Sequence, residues 1–218
     1  GLVRARERGQ GHYDRLRNRL VFPILDALGR PIAFGARSLR AGDEPKYLNS
    51  PETPLFNKSA TLYGIHRAKK PIIDTKTAII VEGYTDVIAC HQAGADNVVA
   101  TLGTSLTREH AGQLRRYAER VVLVFDDDEA GRKAAERATE VFLTEELDVS
   151  IATLGAGEDP ADLMARGGLA AFREIIDGAA DSLEYLLDCT RARLEAADPR
   201  TGRPPEAEVL SGRLRDLG

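Results

Sequence analysis

The sequence predicts an α/β fold: a parallel sheet flanked by helices, with a small mixed α/β unit before it and a helical segment after it. Two observations predict this. Short, unbroken, β-branched runs recur at 77–81, 97–100, 121–125 and 148–153, separated by helical stretches at about 85–93, 107–119 and 129–146. Unbroken apolar runs suit parallel strands covered on both faces, and alternation with helices implies βαβ crossovers. The second observation is a change of rhythm. Residues before about 72 read as paired strands and turns, and residues after about 166 as helix alone. Three parts follow, with boundaries at 1–71, 72–166 and 167–218.

Residues 1–19 are polar and Arg-rich and read as an exposed segment or short helix. Leu20–Asp26 and Pro31–Arg37 read as two strands joined by a turn at Leu28-Gly29-Arg30, where Gly tolerates positive φ. Residues 40–58 are turn-rich, with Pro45, Pro51 and Pro54. A loop of that length without periodicity points to function or disorder. Leu62–Ala68 reads as a short helix ended by Pro71. In the helix from Glu129, Ala135, Ala138, Val141 and Phe142 share the face that packs on the sheet. Short helices near 160–177, a helical stretch from Asp181 and a further helical unit after Asp198 complete the order.

At 218 residues and 43% hydrophobic, the chain can bury one large or two small cores. No segment has the apolar length to span a bilayer, and the first residues do not resemble a signal peptide. Cys90 and Cys189 stand far apart, which argues against a zinc site or disulfide framework and fits a reducing cytoplasm. The absence of a starting Met reads as a piece of a longer protein. Net charge is −4, but unevenly spread. Residues 1–70 hold fourteen Lys and Arg against six Asp and Glu, net +8, and residues 71–218 hold sixteen against twenty-eight, net −12. Such asymmetry points to a nucleic-acid partner or, equally, to a solvated charged surface without one.

The acids carry the chemistry. Glu82 follows the run at 77–81, and Asp126-Asp127-Asp128 follows the run at 121–125. Residues just past the carboxyl ends of parallel strands line the ligand crevice. Gathered carboxylates disfavour one another's ionisation, and a divalent cation relieves that cost. Hard oxygen ligands with open positions suit Mg²⁺ carrying phosphate substrates. Glu82 suits a general base or metal ligand, or alternatively a helix N-terminal charge. Asp86 lies one helical turn further on. Helix capping would explain Asp128 alone, but not three successive acids, so Asp126 and Asp128 are expected to hold metal. Asp159, before Pro160, suits a helix cap and an auxiliary metal ligand equally.

Lys46, Tyr47, Asn49 and Lys58 interleave charge, an aromatic ring and an amide in the long loop, and Arg37 ends the second strand. Cations neutralise phosphates, and aromatic faces accept stacked bases; alternatively the loop is simply folded by its own Asn and Pro turn chemistry. Thr101–Thr107 is a small-residue turn into a helix, with Thr107 the expected cap. There is no Walker A lysine loop and no G-x-G-x-x-G, and the four histidines (His12, His66, His91, His110) lack a partner pattern.

Val81-Glu-Gly-Tyr-Thr-Asp86, Leu102-Gly-Thr-Ser105 and Phe125-Asp-Asp-Asp-Glu-Ala-Gly-Arg132 resemble the Glu and Asp-x-Asp motifs of the Toprim fold. That fold is shared by primases, topoisomerases, recombination proteins and some nucleases. Tyr13–Ile24, Phe34-Gly-Ala-Arg37, Pro45–Lys58 and Leu62-Tyr-Gly64 narrow this. From about residue 13 to 190 the chain resembles the catalytic core of bacterial DnaG-type DNA primase. The resemblance implies synthesis of short RNA primers from NTPs on a single-stranded DNA template with Mg²⁺ or Mn²⁺, in the cytoplasm at the replisome. Carried over by motif, Glu82, Asp126 and Asp128 form the catalytic metal site, with Asp86 and Asp159 as secondary members. Arg37, Lys46 and Lys58 match the basic ridge for template and nucleotide phosphates, and Tyr47 and Asn49 lie in the same stretch. Two departures stand out. Asp127 replaces the usual Gly between the paired acids, and Ala161 replaces a second Asp after Pro160. The family's zinc-binding domain and its C-terminal domain for the replicative helicase lie outside this sequence. Part of the core's own N-terminal subdomain is also expected to be missing.

Overall fold

The computed structural model describes residues 2–7, 9–40, 42, 44–126, 128–145, 147–155 and 159–195, excluding the side chains of 126, 143 and 193–195. Asp127 and the helical unit expected after Asp198 lie outside the described residues.

The fold is α/β, with a five-stranded sheet flanked by helices. Strands β6 (Thr77–Val81), β7 (Val98–Ala100), β8 (Arg120–Asp126) and β9 (Asp148–Leu154) are parallel, in the order β9-β8-β6-β7. The two-residue β10 (Ala180–Asp181) adds an antiparallel edge beside β9, which the sequence reading did not anticipate. Unbroken apolar runs form these strands because both faces are covered. Ala78, Ile80, Val121, Leu123 and Phe125 face one core. There they meet α1 (Ile65–Thr75), α3 (Arg108–Leu114) and α4 (Glu129–Leu143). Ile79, Val81, Val122 and Val124 face the other, with α2 (Tyr84–Gln92) and α5 (Pro160–Asp177). Gly168 breaks α5 in two, in keeping with the short helices expected there. Helix α6 (Ser182–Glu195) follows β10.

Before this sheet lies an antiparallel one, β3 (Arg19–Leu25), β4 (Pro31–Ser38) and β5 (Tyr47–Asn49). A hairpin of β1 (Val3–Ala5) and β2 (His12–Asp14) precedes it. Three expectations need correction. The first nineteen residues are largely exposed, in keeping with one expectation, but hold a hairpin rather than a helix, because backbone pairing of Val3–Ala5 with His12–Asp14 needs no apolar alternation. The long loop contains β5, which borrows the edge of β4. Pro71 lies inside α1 instead of ending it. Ile65, Ala68 and Ile72 are buried on one face, and that packing holds the helix across the hydrogen bond that proline cannot donate.

Helix α3 is also shorter than its periodicity suggested. The N–H groups of Glu119 and Arg120 both donate to the Lys76 carbonyl, at 2.8 and 3.0 Å, which commits the chain to β8 early. A third cluster joins the two sheets: Phe22, Ile24, Ala33 and Phe56 pack with Tyr84 and Leu102.

Candidate active site

Strands β6 and β8 are neighbours and parallel, paired in register up to Ile80 with Leu123. Glu82 lies two residues beyond Ile80 and Asp126 three beyond Leu123, so the acids leave adjacent strands, themselves about 4.8 Å apart, within one residue of the same level. The chain then runs outward in opposite directions, to β7 from β6 and to β9 from β8. That reversal is the topological switch point, where open sheets bind ligands.

Local turns set the acids. Gly83 is extended, and its N–H donates to the Asp86 Oδ2 at 3.0 Å, closing the first turn of α2 with Asp86 buried and Glu82 left exposed. Asp128 caps α4: its Oδ1 accepts the Gly131 N–H at 2.7 Å. Asp159 caps α5 in the same way, accepting from the Asp162 N–H at 2.7 Å. Both are exposed. A cap occupies one of a carboxylate's two oxygens, so capping and cation binding are compatible in a single Asp. Asp126 ends β8, and its side chain lies outside the described residues. Among the described residues no group of three His, Cys, Asp or Glu is arranged to hold a metal, a set that leaves out the Asp126 carboxylate. The donor chemistry at these strand ends, hard carboxylate oxygens on neighbouring strands, fits Mg²⁺ or Mn²⁺.

The basic residues approach from the antiparallel sheet. Arg37 pairs with Tyr47 across β4 and β5. The Arg37 guanidinium and the Lys46 ammonium lie 5.8 and 5.9 Å from the centre of the Tyr47 ring, all three exposed. Lys58 opens a single 3-10 turn, Lys58–Ala60. An open cleft of about 630 Å³ brings the two halves together. Tyr47, Asn49 and Lys58 line it on one side, and Glu82, Asp86 and Asp159 on the other. Arg37 and Lys46 adjoin it through Tyr47.

The joint between the halves is a residue that sequence reasoning passed over, Tyr84. Its ring packs against Phe22, Tyr47 and Tyr63 at centroid distances of 5.4, 5.6 and 5.1 Å. Its hydroxyl donates to the Asn49 Oδ1, and the Asn49 Nδ2 donates to the Leu102 carbonyl at 2.8 Å. Both ends of the Asn49 amide are thus engaged in holding β5 to the parallel sheet. Burial pushes the Tyr84 phenol up to about 12. Gly35 makes room for this ring, since a Cβ there would sit 2.8 Å from the Tyr84 Cζ and Oη. The signal was present in the sequence: a glycine inside a strand pattern marks a close approach. Arg15, which also lines the cleft, was likewise missed.

Known proteins resemble this chain in sequence and fold. Residues 1–69 match the family model described as the DNA primase catalytic core, N-terminal domain, and residues 79–164 match a Toprim-like model. The DNA primase of Synechococcus elongatus is 45% identical over 194 residues, 86% of this chain and 28% of its own length. The chain spans about three tenths of the length of the curated primases it matches. The RNA polymerase domain of Mycobacterium tuberculosis primase DnaG superposes with a TM-score of 0.80 at 34% identity, over 100% of this chain and 75% of that one. A DnaG primase catalytic domain solved bound to single-stranded DNA gives a TM-score of 0.80 at 36% identity, over 98% of this chain and 67% of that one.

Proposed function

This chain belongs to the DnaG-type DNA primase family, and from that premise we propose that it is the nucleotidyl-transfer core of a primase, joining NTPs into a short RNA primer on single-stranded DNA. One observation carries the proposal: Tyr47, Asn49 and Lys58 share a single cleft with Glu82 and Asp159. Cations and an aromatic ring suit a single strand, and strand-end acids suit metal-borne phosphates. The relative solved with single-stranded DNA supports the choice of template.

In the proposed reaction a primer or initiating 3′-hydroxyl attacks the α-phosphate of the incoming NTP. The bond to pyrophosphate breaks, and the hydroxyl proton passes to the acidic side of the cleft, with Glu82, which lines it, serving as base. Glu82, Asp126 and Asp128 would hold Mg²⁺ or Mn²⁺, with Asp86 and Asp159 as secondary members. Bound there, the cation would lower the hydroxyl's pKa and neutralise charge developing on the phosphates. Lys58 neutralises phosphate inside the cleft, while Arg37 and Lys46 do so at its edge. Tyr47, flanked by those two cations, offers a face to a base. Asn49 holds Tyr47's strand at the correct distance through Tyr84 and Leu102. Asp86 fixes the backbone turn beside Glu82.

The proposed partners are therefore the template, NTPs and the RNA primer. The intact protein would work at the replisome in the cytoplasm, contacting the replicative helicase through its C-terminal domain. Among the described residues no helix is long and apolar enough to cross a membrane. The test sets this reading against a Toprim nuclease or topoisomerase. With Mg²⁺ and NTPs, the chain should polymerise on a single-stranded template and leave supercoiled plasmid intact. Nicking or relaxation of the plasmid without polymerisation would contradict the proposal.

A further inference from the structure

His110 is fully buried, and nothing in the chemistry above uses it. Its Nε2 lies 3.0 Å from the backbone carbonyl of Lys58. A carbonyl only accepts, so Nε2 carries the proton. The other ring nitrogen, Nδ1, is buried with no hydrogen-bond partner among the described residues. One turn earlier, the Thr107 hydroxyl donates to the Ser59 carbonyl at 2.5 Å, and its oxygen accepts the His110 N–H at 3.2 Å. The start of α3 therefore takes both successive carbonyls of the Lys58–Ser59 turn.

The rest of that turn is also held. The Lys58 N–H donates to the Glu52 Oε1 at 3.1 Å. The Ser59 N–H donates to the Asn57 Oδ1 at 2.9 Å, and the Thr61 hydroxyl to the Asn57 carbonyl at 2.7 Å. A surface turn of three residues does not need a buried imidazole to fold. What this one presents to the cleft is Lys58, on the same lining as Glu82 and Asp159. Residues 52 and 58 are six apart, but Lys58 and His110 are fifty-two apart and come from opposite halves of the molecule.

We propose that Thr107 and His110 form a clamp that positions Lys58, making His110 a positioning residue for phosphate binding in the cleft. The clamp rests on the proposed role of Lys58 as a phosphate contact. It holds the backbone of a flexible cation against the parallel sheet, so that the ammonium meets a bound phosphate at a fixed place relative to the strand-end acids. Lysine side chains are conformationally free, so an anchored backbone reduces the ordering cost of each contact.

A double-mutant cycle tests this by single-stranded DNA affinity and by KM for NTPs. Lys58→Ala should weaken DNA binding about tenfold, the loss of one charge-assisted contact. His110→Leu, which removes the donor but keeps an apolar body, should weaken binding about three- to tenfold and raise the NTP KM, with kcat changed less. His110→Gln, which can restore a donor near the Nε2 position, should recover most of the loss. In the Lys58→Ala background, His110→Leu should cost nothing further, because it acts through Lys58. Should His110→Leu fold poorly, Thr107→Val serves in its place, with the same non-additivity expected. Equal losses in both backgrounds would overturn the clamp, as would an unaltered His110→Leu variant or one that weakens binding where Lys58→Ala does not. Failure of the nucleotidyl-transfer reading would show separately, as Asp126→Asn retaining incorporation.

Discussion

Replacing Gly35 by Ala should damage the joint between the two halves of the cleft. Gly35 lies on β4 without positive φ, so alanine meets no backbone strain there. The difficulty is space. The new Cβ would sit 2.8 Å from the Tyr84 Cζ and Oη and 3.1 Å from the Asn49 Oδ1. The ring cannot retreat freely, because Phe22, Tyr47 and Tyr63 surround it and its hydroxyl is bonded to Asn49. Overpacking of this kind costs about 1–3 kcal/mol, offset by up to about 1 kcal/mol from the lower entropy of the unfolded alanine chain. The middle of those ranges leaves a net loss of about 1 kcal/mol, a fall in Tm of roughly 2–4 °C at this chain length. Urea unfolding measures it directly. The same shift should displace β5, so template affinity should fall alongside stability. Tyr84→Phe removes one of the two clashing atoms, so the Gly35→Ala penalty should shrink in that background. A Gly35→Ala protein as stable as the parent or more so, or one equally destabilised beside Tyr84→Leu, would refute the close-packing argument.

Other consequences follow from the site. Asp128→Asn should keep the α4 cap, since Asn caps nearly as well as Asp, so urea stability should hold within about 0.5 kcal/mol while nucleotide incorporation is lost; stability and activity falling together would assign Asp128 to structure alone. Lys46→Ala should weaken binding to every single-stranded sequence alike and lower the salt slope by about one, measured by fluorescence anisotropy across a salt series; a sequence-selective loss would count against a phosphate contact. Burial, with the Asp86 carboxylate adding to it, pushes the Cys90 thiol up to about 12. A folded-state pKa raised above the unfolded value gives stability that is complete below the unfolded pKa and lost as pH rises. Unfolding free energy should therefore decline from about pH 9 upward, by up to about 1.4 kcal/mol per unit for this group, with Tyr84 adding to the fall from about pH 10. Cys90→Ala should flatten the first part of that decline, and an unchanged slope would place the cause elsewhere.

The parallel sheet was legible because its strands are buried on both faces. Ile79 and Ile80 serve opposite cores, so the run at 77–81 has to be apolar throughout. The strand-end acids followed from the same pattern. What stayed hidden depends on partners far along the chain. Strands β1, β2 and β5 have three residues each and are held by backbone pairing, which leaves little trace in side-chain rhythm. The interior Pro71 is tolerated because of tertiary burial, which a local propensity rule cannot weigh. Tyr47, Asn49 and Lys58 were legible as candidates by type. That Asn49 is engaged by Tyr84 and Leu102, thirty-five and fifty-three residues away, was not.

Nucleotidyl transfer at the strand-end acids is tested most directly by incorporation of labelled NTPs on single-stranded DNA, with Mg²⁺ and with Mn²⁺, by this chain and by its Asp126→Asn variant. Incorporation should need template and metal and disappear in the variant, while the variant's unfolding midpoint stays near that of the parent. Incorporation that persists in Asp126→Asn would contradict transfer at those acids.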